Sequence, residues 1–174
     1  ADMPMLQAES VAKIIGFHKQ NGNVLTMTSV IGDVPRGFGR VVRDKDGKLT
    51  AIVEEVDATD EQRRIREYNI SVYCFDATWL WENLTQIKPS PKGEYYVTDL
   101  IKMAVEQGKK LDSVVLDDPV EGLGVNNRVD LADCEVAMRK RVIRSWMLEG
   151  VSFLDPDSCT VESDVLIGKD TVIL

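Results

Sequence analysis

The chain has 174 residues, with 21 Lys and Arg against 29 Asp and Glu, a net charge of −8. That length suits one domain, or one domain with an appendage, and can bury roughly 70% of the unfolded surface without staples. An isoelectric point near 4.7 argues against nucleic-acid partners, which need a basic face. No apolar run approaches the ~18 residues of a membrane span, and the opening Ala-Asp-Met-Pro-Met-Leu lacks the basic and apolar regions of a secretion signal. Cys74, Cys134 and Cys159 are odd in number and lack C-x-x-C spacing. A disulfide framework or zinc site is not expected, and a cytoplasmic, reducing compartment is. The one histidine, His18, is expected at the surface or a boundary.

The chain opens as a strand end running into a turn at Pro4. Residues 9–19 carry Val11, Ile14, Ile15 and Phe17 at near-helical spacing, stopped by Asn21-Gly22-Asn23. VLTMTSVI, 24–31, reads as a buried strand. Residues 32–39, with three glycines and Pro35, read as a loop. Two short strands, 39–43 and 49–53, flank Asp44-Lys45-Asp46-Gly47 as a hairpin. The polar segment 57–68 reads as a helix opened by a capping box of Thr59 and Gln62. NISVYCF, 69–75, reads as a strand, 77–87 as a helix with Leu80, Trp81 and Leu84 on one face, and 88–93 as a loop. A helix over 95–107 ends at Gly108, and a short strand covers 114–116. Alternating strands and helices predict an α/β layer architecture.

Residues 129–148 read as a long helix with Val129, Ala132, Val136, Ile143 and Trp146 or Met147 as its apolar positions. Asp130, Asp133 and Glu135 come early and Arg139, Lys140, Arg141 and Arg144 late, which complements the helix dipole. The tail changes rhythm: Val161, Ile167 and Ile173 are six apart, as are Val165 and Thr171. A six-residue period in a β-rich segment marks a hexapeptide β-helix, of which fewer than three coils are expected here.

Several polar residues fall at element ends. Asp2 precedes Pro4; a carboxylate there suits Mg²⁺ shared with a phosphate, or is simply solvated. The glycines of Gly37-Phe38-Gly39-Arg40 admit close backbone approach to a ligand, or make an ordinary turn. Glu54, beside Glu55, is a candidate acceptor or one of a surface acid pair. Asn69 offers a donor and an acceptor to hydroxyl groups, or opens a strand as a turn residue. In Gly124-Val125-Asn126-Asn127-Arg128, Asn127 suits an N-cap.

Taken in order, IVEEVDATDEQ (52–62), Asn69, GEYYVTD (93–99) and GVNNR (124–128) resemble the bacterial bifunctional N-acetylglucosamine-1-phosphate uridyltransferase/glucosamine-1-phosphate acetyltransferase family over nearly the whole chain. The resemblance implies a partial Rossmann-like nucleotidyltransferase domain with a mixed sheet over 1–126, a linker helix over 127–149, and the start of a left-handed β-helix over 150–174. It implies that Asp2 and Asn126 hold the catalytic Mg²⁺, and that Gly39, Glu54, Asn69, Thr98 and Asn126 contact the nucleotide sugar. The implied ligands are UTP, N-acetylglucosamine 1-phosphate and UDP-N-acetylglucosamine, feeding peptidoglycan and lipopolysaccharide synthesis. Acetyl-CoA belongs to the family's acetyltransferase domain, which this sequence does not contain. The full-length family is homotrimeric.

The sequence also departs from that pattern. The family's Gly-Thr-Arg-Met nucleotide loop is not in these 174 residues, so the chain alone is expected to turn over little. Asn-Ile-Ser stands at 69–71 where the family usually has Asn-Thr-Gly, and Ala1 precedes Asp2 where it has Gly. Two alternative readings are a related sugar-1-phosphate nucleotidyltransferase and a non-catalytic binding or assembly module completed by another chain.

Overall fold

Leu25–Ile31 (β1) is buried at every position but its last. A near-continuous apolar and small-polar run of this kind belongs inside a sheet covered on both faces. A computed structural model describes residues 2–32, 37–90 and 93–174. Two compact units emerge: Leu6–Gly122, and the residues through Met5 together with Leu123–Leu174.

In the Leu6–Gly122 unit, β1 is joined by Arg40–Arg43 (β2), Leu49–Val53 (β3), Glu67–Phe75 (β4) and Leu111–Val115 (β5) in the order β3-β2-β4-β1-β5. The β1–β4, β2–β3 and β2–β4 pairs are antiparallel and β1–β5 is parallel, so the sheet is mixed. The helices are Ala8–Asn21 (α1), Ala77–Leu84 (α2) and Asp99–Glu106 (α3). Leu25, Met27, Val41 and Leu49 of the sheet pack with Trp79, Leu100, Ile101 and Ala104 of α2 and α3 in one core cluster. Each such side chain contributes about 1.5–3 kcal/mol on burial.

The Gln7 position that opens α1 brings no capping side chain of its own. The buried Glu121 carboxylate does that work: it accepts from the Gln7 N–H at 2.9 Å and from the Ser10 hydroxyl at 2.8 Å. At the other end Gly22 adopts φ 61°, a left-handed conformation that closes the helix by bonding to the Lys19 carbonyl. Across the sheet, Arg43 donates to Glu67 at 2.6 and 2.8 Å, to the Ser113 hydroxyl at 2.6 Å and to the Gly47 carbonyl at 3.0 Å. Ser29 also donates to Glu67, at 2.7 Å. Four strands thus share one polar network. Burial pushes the Glu67 carboxyl up, but the bonds from Arg43 and Ser29 outweigh it and hold it below the usual carboxylate value.

Several sequence expectations change. Residues 57–68 hold only a 3₁₀ turn at Gln62–Arg64, because Glu67 and Tyr68 are drawn into β4 opposite Ile31 and Val30. The capping box forms nonetheless, with Thr59 N–H to Gln62 Oε1 at 2.9 Å and Gln62 N–H to Thr59 Oγ1 at 3.2 Å. In α2 Leu80 and Leu84 pack against the core as expected, but the fully buried residues are Trp79 and Asn83, and Trp81 is exposed. α3 begins at Asp99, four residues after the expected start, and Tyr95 is exposed. His18 is buried rather than peripheral; its Nδ1 lies 3.0 Å from the Thr26 hydroxyl, which also accepts from Asn23 Nδ2 at 2.9 Å. The loops expected over 32–39 and 88–93 include residues 33–36 and 91–92, which lie outside the described residues.

In the other unit, Arg128–Leu148 (α4) opens with Asn127 Oδ1 accepting from the N–H groups of Val129 and Asp130 at 2.8 and 3.1 Å. Of its apolar positions, Ile143 is buried and Trp146 packs against the same cluster, whereas Val129, Val136 and Met147 are exposed. Ser152–Phe153 (β6) pairs in parallel with Val172–Ile173 (β7). The six-residue series Val161, Ile167 and Ile173 packs against one cluster of Ile143, Val151 and Phe153. Asp2 lies outside any strand, and the turn at Pro4 and Met5 forms.

Candidate functional site

Gly39 precedes β2, Glu54 follows β3, Asn69 is the third residue of β4 and Thr98 precedes α3, and the fold brings them together. Antiparallel pairing of β2 with β3 sets Arg40 against Val53, so Gly39 falls opposite Glu54. The Asn69 N–H donates to the Gly39 carbonyl at 2.9 Å. The Thr98 hydroxyl donates to Glu54 Oε1 at 3.1 Å. Gly39 is a matter of room rather than of backbone angle. A Cβ there would stand 2.7 Å from Ile52 Cγ2 and 3.3 Å from Glu54 Oε2. Glu54 is an acceptor-only side chain, half-buried and fixed by Thr98, so it suits a ligand rich in hydroxyl donors.

Asn69 is 3% exposed, and both ends of its carboxamide are engaged. Oδ1 accepts from the Ser71 N–H at 3.0 Å, and Nδ2 donates to the Tyr73 hydroxyl at 2.8 Å. Ser71, two residues on, takes φ 59°. Left-handed backbone costs a non-glycine residue about 1–2 kcal/mol, and here the Asn69 side chain holds it in place. Burial pushes the Tyr73 phenol up to about 12, with the Glu54 charge adding to it and bonds to Asn69 and Ser71 opposing. Sequence reasoning missed Tyr73. It stands four positions after Asn69 in one strand, and a period of two places such residues on one face.

Beside Gly39, Arg40 is 1% exposed, stacks over the Tyr68 ring at 5.0 Å and pairs with Glu55 at 2.5 Å. Glu55 is therefore a counter-ion to a buried guanidinium, not one half of a surface acid pair.

The segments that carry Asp2 and Asn126 are joined in the other unit. The Val125 N–H donates to the Asp2 carbonyl at 2.7 Å, and Gly124 leaves its Cα side close to the same carbonyl, where an added Cβ would sit 3.5 Å away. Asn126 is anchored through its backbone N–H, which donates to Asp130 Oδ2 at 3.0 Å. Both side chains are exposed, and among the described residues neither is taken up by a hydrogen bond. A carboxylate and a carboxamide oxygen are hard-oxygen donors, the chemistry that suits Mg²⁺ with its remaining positions left to water and phosphate. No cluster of three or more His, Cys, Asp or Glu side chains suited to a metal occurs among the described residues. Nor is any helix among them long and apolar enough to cross a membrane.

Residues 4–146 match the nucleotidyl transferase family, and the chain belongs to it. It is 42% identical over 173 residues to the bifunctional protein GlmU of Pelotomaculum thermopropionicum, and 41% identical to that of Streptococcus suis. Each alignment covers 99% of this chain and 38% of the relative, so the chain spans well under half the length of the curated relatives it matches. Among solved structures it resembles a protein assigned as a UDP-N-acetylglucosamine pyrophosphorylase from Entamoeba histolytica, with a TM-score of 0.63, 12% identity, and coverage of 85% of this chain and 46% of that one. It also resembles a protein assigned as a glucose-1-phosphate thymidylyltransferase from Bacillus anthracis, with a TM-score of 0.53, 16% identity, and coverage of 71% and 47%. At those identities the two structures speak to the fold, a mixed α/β sheet of the nucleotidyltransferase kind.

Proposed function

We propose that this chain carries the sugar-recognition and metal-holding residues of a UDP-N-acetylglucosamine pyrophosphorylase. The reaction joins UTP and N-acetylglucosamine 1-phosphate to give UDP-N-acetylglucosamine and pyrophosphate. The observation that supports it most is the convergence of Gly39, Glu54, Asn69 and Thr98, four residues separated by up to 59 positions of sequence, on one hydrogen-bonded corner of the sheet. In this chemistry an oxygen of the sugar phosphate attacks the α-phosphorus of UTP as the bond to the pyrophosphate oxygen breaks. Such transfers depend on positioning and charge neutralisation more than on covalent help. Glu54, oriented by Thr98, accepts from sugar hydroxyls. Asn69 supplies one further donor and one further acceptor. Gly39 keeps the wall beside Glu54 free of a side chain.

Asp2 and Asn126 are the residues that would hold Mg²⁺. When bound, the ion supplies positive charge to the phosphate oxygens. A cytoplasmic setting, a role upstream of peptidoglycan and lipopolysaccharide, and trimeric assembly through a left-handed β-helix that starts within 150–174 belong to the same reading.

Calorimetric titration with UDP-N-acetylglucosamine, with and without Mg²⁺, tests it. Binding that needs Mg²⁺ and weakens in Asp2→Ala, Asn126→Ala and Glu54→Ala is the expected result. Tighter binding of a nucleotide sugar lacking the acetamido group would move the reading to another sugar-1-phosphate nucleotidyltransferase. No binding to either would overturn it.

A further inference from the structure

The strand that supplies Asn69 is not regular. In the β1–β4 pairing Met27 lies opposite Tyr73 and Ser29 opposite Asn69, so one residue of β1 faces three of β4. Such a bulge re-aims the side chains beside it. Asn69 and Tyr73 flank the bulge and close it with the 2.8 Å bond from Nδ2 to the phenol oxygen. Ser71, at the crest, stands in left-handed backbone with its N–H on Asn69 Oδ1.

These bonds allow Asn69 one orientation. Exchanging its oxygen and nitrogen would set an NH₂ group against the Ser71 N–H, donor against donor. In the orientation present, one N–H of Nδ2 and one lone pair of Oδ1 are without a partner among the described residues. The acceptor-only carboxylate of Glu54 belongs to the same corner.

The geometry points to Tyr73 as a positioning residue for sugar recognition: its hydroxyl clamps the Asn69 carboxamide across the β4 bulge, so that the group offered to the ligand is a fixed N–H donor paired with the Glu54 acceptor. The ligand feature this fits is a hydroxyl or acetamido group that accepts at one atom and donates at a neighbouring one. This inference rests on the function proposed above and adds to it a residue that touches the ligand only through Asn69.

The test is a double-mutant cycle on the 174-residue chain, with UDP-N-acetylglucosamine as the probe, read by calorimetry and by the side-chain amide resonances of Asn69. Tyr73→Phe keeps the ring and removes the clamp. It is expected to weaken binding about tenfold, the worth of one well-placed hydrogen bond. The Asn69 amide protons should shift and exchange faster with solvent. In an Asn69→Ala background the same change should cost nothing further. Unchanged affinity and unchanged Asn69 resonances in Tyr73→Phe would overturn the inference, as would an equal loss with and without Asn69. A wild-type chain that binds no nucleotide sugar overturns the proposed function instead, and the clamp then stands or falls on the Asn69 resonances alone.

Discussion

The carboxylate of Glu121 receives the backbone N–H of Gln7 at 2.9 Å, so α1 is capped by a residue 114 positions away. A carboxylate at that helix end satisfies an orphan donor and meets the positive end of the dipole. Glu121→Ala leaves both the Gln7 N–H and the Ser10 hydroxyl without this partner in a half-buried setting. The expected loss is about 1–3 kcal/mol, with Glu121→Gln losing less. Urea unfolding combined with hydrogen exchange of the α1 amides checks it; α1 amides that stay fully protected would argue that the cap is dispensable.

Gly39→Ala should act on the site before it acts on the fold. The added methyl meets Ile52 Cγ2 at 2.7 Å and crowds Glu54 Oε2 at 3.3 Å, so β3 or the Glu54 side chain must move. Overpacking of this kind costs about 1–3 kcal/mol. Because Gly39 also carries the carbonyl that receives Asn69, sugar affinity is expected to drop by more than the stability loss accounts for. Calorimetry and thermal unfolding on the same sample separate the two.

Removing Glu55 exposes the cost of burying Arg40. In Glu55→Gln the guanidinium, 1% exposed, keeps, among the described residues, the Phe38 carbonyl and the Tyr68 ring. Loss of one partner from a buried pair costs about 3–5 kcal/mol, and the partial exposure of Glu55 places the expectation at the lower end. Arg40→Met with Glu55→Gln should be milder than Glu55→Gln alone. Denaturant midpoints of the three variants decide it: a single variant no worse than the double would contradict the buried-charge account.

Two groups give the stability a pH profile. Burial lowers the His18 pKa below 6.5, with the Asp76 charge opposing. The unfolded chain then binds the proton more readily, so stability is full above about pH 6.5 and falls as pH drops through the folded value. At the other end, Tyr73 is raised to about 12. The folded chain holds that proton more tightly, so the stabilisation present below about pH 10 is lost between there and pH 12. Urea midpoints for wild type and His18→Gln across pH 4–7 should converge toward the acid end. Absorbance at an ionised-tyrosine wavelength should show a tyrosine titrating near pH 12 that disappears in Tyr73→Phe.

Much of this was legible in the residues because local rules and the fold agree. The run 24–31 gave a buried strand, Asp44 to Gly47 gave a hairpin, and Asn127 gave a helix start. The ordered motifs pointed to Gly39, Glu54, Asn69 and Thr98, which converge; the Asp2 carbonyl is bonded by Val125, next to Asn126. The misses occurred where distant partners decide. A helix over 57–68 is locally plausible, down to its capping box, but Tyr68 pairs with Val30 of β1 instead. The exposed Trp81 and buried Trp79 differ only in which side of α2 faces the sheet. Tyr73 carried a same-face signal from Asn69, but the bulge at 69–73 that joins them depends on β1 and could not be read from β4 alone. Glu121, as the cap of α1, had no local trace.

The network around Arg43 sets an order of assembly. Its bonds to Glu67 and Ser29's bond to the same carboxylate need only residues up to position 67, but the Ser113 hydroxyl comes 70 positions after Arg43. A chain growing from a ribosome can pair β1 with β4 long before β5 emerges. Until then one guanidinium donor faces the unfilled sheet edge with water as its only partner. Arrival of β5 both adds the parallel strand and quenches that donor, so the final strand locks in a register already proofread by charge.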